Sequence, residues 1–107
     1  MWTWVRIHNA SKRELVMQFE DSGSRPLLLK PDVHLDFNPS SLTENQYSRI
    51  FVYEKGDKGE LKMVHTSKLF FNEDTTNLFF LYPKGKRRIR IMRIAGHPES
   101  GRDVFAP

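Results

Sequence analysis

Six cations fall between Lys84 and Arg93: Lys84, Lys86, Arg87, Arg88, Arg90 and Arg93. Arg88 and Arg90 alternate with Ile89 and Ile91. On a strand that spacing makes one face cationic, and a row of this kind is what phosphates contact, with salt-dependent affinity. The plainer reading is a solvated face, or a charged edge strand that blocks edge-to-edge association. Aromatic residues are not interleaved with these charges, which weighs against stacking on single-stranded bases. A second stripe, Tyr47, Arg49, Phe51 and Tyr53, lies on one face of a strand at period two. Aromatics around one fixed charge are a common composition for an interface core. The alternative makes Phe51 and Tyr53 core residues and Arg49 a strand-end cation, because one face of the strand must be buried. His8, His34, His65 and His97 are scattered. The sequence has no HxH, HExxH or GxSxG spacing and no cysteine. Nothing in it signals a metal site, a cofactor or a nucleophile with its base, so we expect a protein that is not an enzyme.

A chain of 107 residues is one domain, able to bury a core of modest stability. Eight Phe, three Tyr and two Trp make it globular rather than disordered. No apolar run approaches the ~20 residues of a membrane span, and the start, Met1 to Arg6, is too short and interrupted for a signal peptide. The absence of cysteine fits an intracellular location, cytoplasmic or nuclear. The net charge of +4 attracts anionic partners without specifying one.

The elements that must position these residues are short strands. Trp2 to His8 alternates, with Val5 and Ile7 opposite Trp2 and Trp4. Arg13 to Glu20 puts Leu15, Met17 and Phe19 on one side. Leu27 to Leu29 and Val33 to Asn38 follow, the latter with Val33, Leu35 and Phe37 on one face. The polar stretch Pro39 to Gln46 carries a Ser41-x-x-Glu44 spacing that could cap a helical turn. Tyr47 to Lys55 leads into a turn at Gly56 to Gly59, and Glu60 to His65 returns. Lys68 to Asn72, Asn77 to Tyr82, a turn at Pro83 to Lys86, and Arg87 to Ile94 complete the series. Turns every 8–12 residues with no helical period predict an all-β fold, a small antiparallel β-sandwich of about seven to nine short strands. We expect the sandwich over residues 1–95 and a flexible tail over 96–107.

Read in order, these pieces resemble the β domain of the von Hippel–Lindau tumour-suppressor family. Asn9-Ala10-Ser11 is similar to that family's Asn-x-Ser turn, and Leu29-Lys30-Pro31 to its Leu-x-Pro. Ile50-Phe51-Val52-Tyr53, a Gly-containing hairpin and Val64 to Phe70 resemble its central block without a gap. Ile91-Met92-Arg93, Pro98-Glu99 and Arg102 resemble the junction into its helical α domain. The resemblance implies a docking surface for a hydroxyproline-containing peptide. The family's α domain binds elongin C and recruits a cullin ubiquitin ligase. This chain stops at Pro107 without those helices, so direct ligase recruitment is not expected of it.

The resemblance also locates a partner site. Phe19 and Phe51 fall where the family has tryptophans, Arg49 where it has a histidine, and Pro26 near its tyrosine. Ser40 and Ser41 are candidates for its hydroxyl-binding serine. A buried hydroxyl left unmet costs ~1–3 kcal/mol, so a hydroxyproline pocket needs polar groups that this set does not clearly keep. The leading expectation is a protein- or peptide-recognition module, part of a larger complex, with Phe19, Tyr47, Arg49 and Phe51 at its site. The runner-up is nucleic-acid or polyanion binding through residues 84–93. No membrane partner is expected.

Overall fold

A computed structural model describes residues 4–20, 25–37, 47–71 and 76–94. They form eight strands and no helix: β1 (Trp4–Asn9), β2 (Leu15–Phe19), β3 (Leu27–Leu29), β4 (His34–Phe37), β5 (Tyr47–Lys55), β6 (Leu61–Phe70), β7 (Thr76–Lys84) and β8 (Arg88–Ile94). The first sheet runs β4-β1-β7-β8 and the second β3-β2-β5-β6. Every pairing is antiparallel except β1 with β7, which is parallel. The chain is a small all-β sandwich.

Period-two alternation gives each sheet one apolar face, and the two faces meet. Val5, Ile7, Phe79, Leu81, Ile89 and Ile91 fill the core from the first sheet. Leu15, Met17, Phe19, Leu29, Ile50, Val52 and Leu69 fill it from the second. A row of rings crosses between them. Phe71 lies 6.4 Å from Phe19 and 6.3 Å edge-on from Phe79, and the Arg93 guanidinium sits 4.7 Å from the Phe79 centroid.

The Asn9-Ala10-Ser11 turn is a buried polar knot. The Asn9 amide donates to the Arg13 carbonyl at 2.7 Å and the Leu29 carbonyl at 2.9 Å. Its oxygen accepts from the Ser11 N–H at 3.0 Å and the Ser11 hydroxyl at 2.6 Å. One side chain thus ties the end of β1 to the start of β2 and to β3, which satisfies backbone groups no strand reaches.

Three sequence expectations change. Glu60–His65 and Lys68–Asn72 are not separate strands, because β6 runs unbroken from Leu61 to Phe70. The polar step Thr66-Ser67 is held inside it, with Ser67 paired to Ile50 and the Thr66 hydroxyl donating to the Ile50 carbonyl at 2.9 Å. The turn placed at Pro83–Lys86 begins later: Pro83 and Lys84 belong to β7, and Gly85 turns at a φ of 68°. Along β5 the inward residues are Ser48, Ile50 and Val52, not Phe51 and Tyr53. The Ser41–Glu44 spacing and the expected tail lie outside the described residues.

Candidate binding surfaces

Because Ile50 and Val52 take the core, Arg49, Phe51 and Tyr53 stand on the outer face of the second sheet. Strand register extends that face. Leu28 of β3 pairs with Val16 of β2, Val16 with Tyr53 of β5, and Tyr53 with Met63 of β6. One apolar row therefore crosses all four strands. Its ends are open, with Leu28 44% and Met63 48% exposed. Leu61 and Phe70, 52% and 43% exposed, occupy the same face through their pairings with Lys55 and Tyr47. Phe51 sits between Gln18 and Thr66, and Arg49 pairs with Lys68. The Arg49 guanidinium donates to the Thr66 hydroxyl at 3.4 Å. Four of the five exposed large hydrophobics among the described residues share this face. A monomeric surface seldom gathers them so, and contiguous exposed apolar groups with a polar rim mark interaction sites.

Phe19 is not on this face. It is 2% exposed and points into the core, so Gln18, not Phe19, stands across from Phe51. Alternation along β2 places Leu15, Met17 and Phe19 together inward, which removes Phe19 from any surface site. The backbone of Tyr47 is in β5, paired with Phe70 of β6. Ser40 and Ser41 lie outside the described residues. The sequence reading missed Leu28, Val16, Met63 and Leu61. Its signal was there in Leu61-x-Met63, at period two across the Gly56–Gly59 turn from Tyr53 and Lys55.

A bulge sets the far end of this face. Val52 pairs with His65 and Tyr53 with Met63, so Val64 is the extra residue of β6. It lets Val64 turn inward while Met63 stays out and His65 faces the interior beside Ser67, its Nε2 2.8 Å from the Ser67 hydroxyl. Burial pushes the His65 pKa below the ordinary imidazole value, and the Arg90 charge adds to this; a hydrogen bond with the Ile89 backbone opposes it.

The cationic hairpin divides in two. Lys84, Lys86, Arg87, Arg88 and Arg90 are exposed around the β7–β8 turn. Arg93 is not one of the row: it is 4% exposed, because the alternation that puts Arg88 and Arg90 outward puts Ile89, Ile91 and Arg93 inward. Its guanidinium donates to the Asn77 side-chain oxygen at 2.9 Å and to the Phe70 carbonyl, and it lies over the Phe79 ring. It is a structural cation, satisfied on two sides. Arg13, ahead of β2, donates to the Gly85, Lys86 and Arg88 carbonyls and so fastens the turn to the other sheet.

His8 and His34 are cross-strand neighbours in the first sheet, while His65 belongs to the second. His8 Nε2 is 3.2 Å from Asp32 Oδ1, and its ring is 6.1 Å from that of His34 and 5.1 Å from that of Phe80. Arg6 makes a two-point pair with Asp36, 2.7 and 2.9 Å, which holds Asp36 below the usual carboxylate range. Among the described residues no three His, Asp or Glu side chains are grouped to hold a metal ion.

No family model matches the chain, and no curated protein is significantly similar to it. Among solved structures, an NMR structure of a protein from Eubacterium rectale is similar to it, with a TM-score of 0.51 and 14% identity over 91% of this chain and 92% of that one. At that identity the likeness concerns the fold alone: this chain shares an all-β sandwich with that protein.

Proposed function

We propose that this protein is a recognition module that binds an extended protein or peptide segment on the outer face of its second sheet, in the manner of the von Hippel–Lindau β domain it resembles. The observation that carries the reading is the apolar row Leu28–Val16–Tyr53–Met63, open at both ends. Burying such a row against a partner yields ~25 cal/mol per Å² of apolar surface. Arg49 beside it supplies a planar fork of donors, suited to a carboxylate or a backbone carbonyl. The partner is therefore a segment with apolar side chains and nearby acidic or carbonyl groups. Arg49 adds a permanent charge that a neutral hydroxyproline does not require, so the module needs no hydroxylated proline.

Peptides selected from a displayed random library against the folded protein test this. Amide shifts on binding are expected at Val16, Leu28, Phe51, Tyr53 and Met63. Met63→Glu is expected to weaken binding at least tenfold, about 1.4 kcal/mol. Val33→Glu, which charges the exposed apolar residue off this face, should leave it intact. Shifts confined to another surface, or equal losses in the two variants, would overturn the reading. A peptide pair differing only in hydroxylation of one proline is expected to bind within tenfold of each other.

A further inference from the structure

Each sheet has an end strand on the same side: among the described residues β6 pairs only with β5, and β8 only with β7. They approach each other along one side of the sandwich. His65 of β6 and Ile89 of β8 line the same cleft, so the edge of β8 lies alongside β6. Between them is a cleft of about 760 Å³. Lys62 forms one wall, and Lys84, Arg87, Arg88 and Arg90 the other. Val64 and Ile89, both buried, lie at its base.

Among the described residues no acidic side chain lines this cleft. Three cations outside it have a carboxylate partner: Arg6 with Asp36 at 2.7 Å, Arg13 with Glu54 at 3.5 Å, Lys55 with Glu14 at 3.6 Å. Among the described residues none of the five cleft cations has such a carboxylate partner. Like charges from two different strands, gathered over an apolar base, repel each other and draw anions. The walls are also sheet edges, and a sheet edge can accept an added strand. Among the described residues no Phe, Tyr or Trp lines the cleft, and the imidazole of His65 is partly buried beside Ser67, which leaves little platform on which bases would stack.

We propose that the cleft between β6 and β8 binds an extended acidic peptide segment, its carboxylates against Lys62, Arg88 and Arg90 and its backbone along the sheet edges. Met63 touches both this cleft and the outer apolar face, but the proposal stands without the reading given above. Arg13, through the Gly85, Lys86 and Arg88 carbonyls, holds the wall in place before any ligand arrives.

The probe is a short labelled peptide of alternating glutamate and valine. Its controls are the lysine–valine counterpart and single-stranded DNA of equal charge, all titrated against the full chain at low and moderate salt. The acidic peptide is expected to bind with salt-sensitive affinity, more tightly than the DNA, and to shift the Val64, His65 and Ile89 signals. Arg88→Glu with Arg90→Glu should weaken it at least tenfold. Lys62→Glu, on the opposite wall, should weaken it as well, and Met63→Glu by less than either. Circular dichroism checks that each variant folds, and the charge-neutral Arg90→Gln serves if the double variant does not. No binding at low salt would overturn the proposal. So would binding that survives the wall substitutions, or DNA binding more tightly than the peptide.

Discussion

Asn9→Ala tests whether the turn that carries part of the family resemblance is there for folding. The Asn9 side chain makes four hydrogen bonds, three of them buried: to the Leu29 carbonyl and from the Ser11 N–H and hydroxyl. The fourth, to the Arg13 carbonyl, is part-buried. Alanine removes all four and leaves no room for several waters in a residue with no exposed surface. At about 1 kcal/mol for each bond, and more where a buried carbonyl is orphaned, the loss is about 3–5 kcal/mol. Small domains have only ~5–15 kcal/mol in all. Urea unfolding followed by tryptophan fluorescence reads it directly. With a slope near 2 kcal/mol per molar, the midpoint should fall by ~2 M at unchanged slope. Asn9→Asp keeps the acceptors for Ser11 but turns a carboxylate on the two carbonyls. It should cost at least as much at neutral pH and recover in part where the carboxyl is protonated. A loss under ~1 kcal/mol for Asn9→Ala would refute the reasoning, because it would mean the knot is replaceable by solvent.

Other outcomes follow from the same geometry. Arg93→Lys keeps the charge but loses the fork that spans Asn77 and Phe70, so stability should drop by about 1.5–3 kcal/mol in thermal unfolding, with no change in anion binding. Arg88→Glu with Arg90→Glu should leave the circular dichroism spectrum and midpoint nearly unchanged, since both side chains are exposed. His65 has a folded pKa below its unfolded value near 6.5, so the folded state binds fewer protons. The stability this contributes is complete above that unfolded value and is lost as pH falls through the folded one; His65→Gln should flatten the decline that sets in as pH falls below the unfolded value.

Much of the fold was legible because alternation and turn chemistry are local. Leu15, Met17 and Phe19 recur at period two, and so do Val5 and Ile7; each set is buried as a unit. Gly59 and Gly85 mark turns because both adopt positive φ, which few other residues tolerate. The bounds of β5 at Tyr47 and Lys55 follow from the same signals.

Local patterning thus specifies a set of two-faced strands and their punctuation: an all-β sandwich, with a cationic hairpin at its end. Which face of β5 is buried was not in that set. Ile50 and Val52 on one side and Phe51 and Tyr53 on the other are both apolar, so alternation carries no sign, and only the opposing sheet chose. Arg93 reads as one more surface cation until Phe79, Asn77 and Phe70 close around it from other strands. Nor could spacing reveal that Lys62 would face Arg88 and Arg90 across a cleft, since those residues meet only where the unpaired edges of two sheets come side by side. Periodicity is a property of one strand. The binding surfaces belong to pairs of strands and sheets, and long-range register alone brings those together.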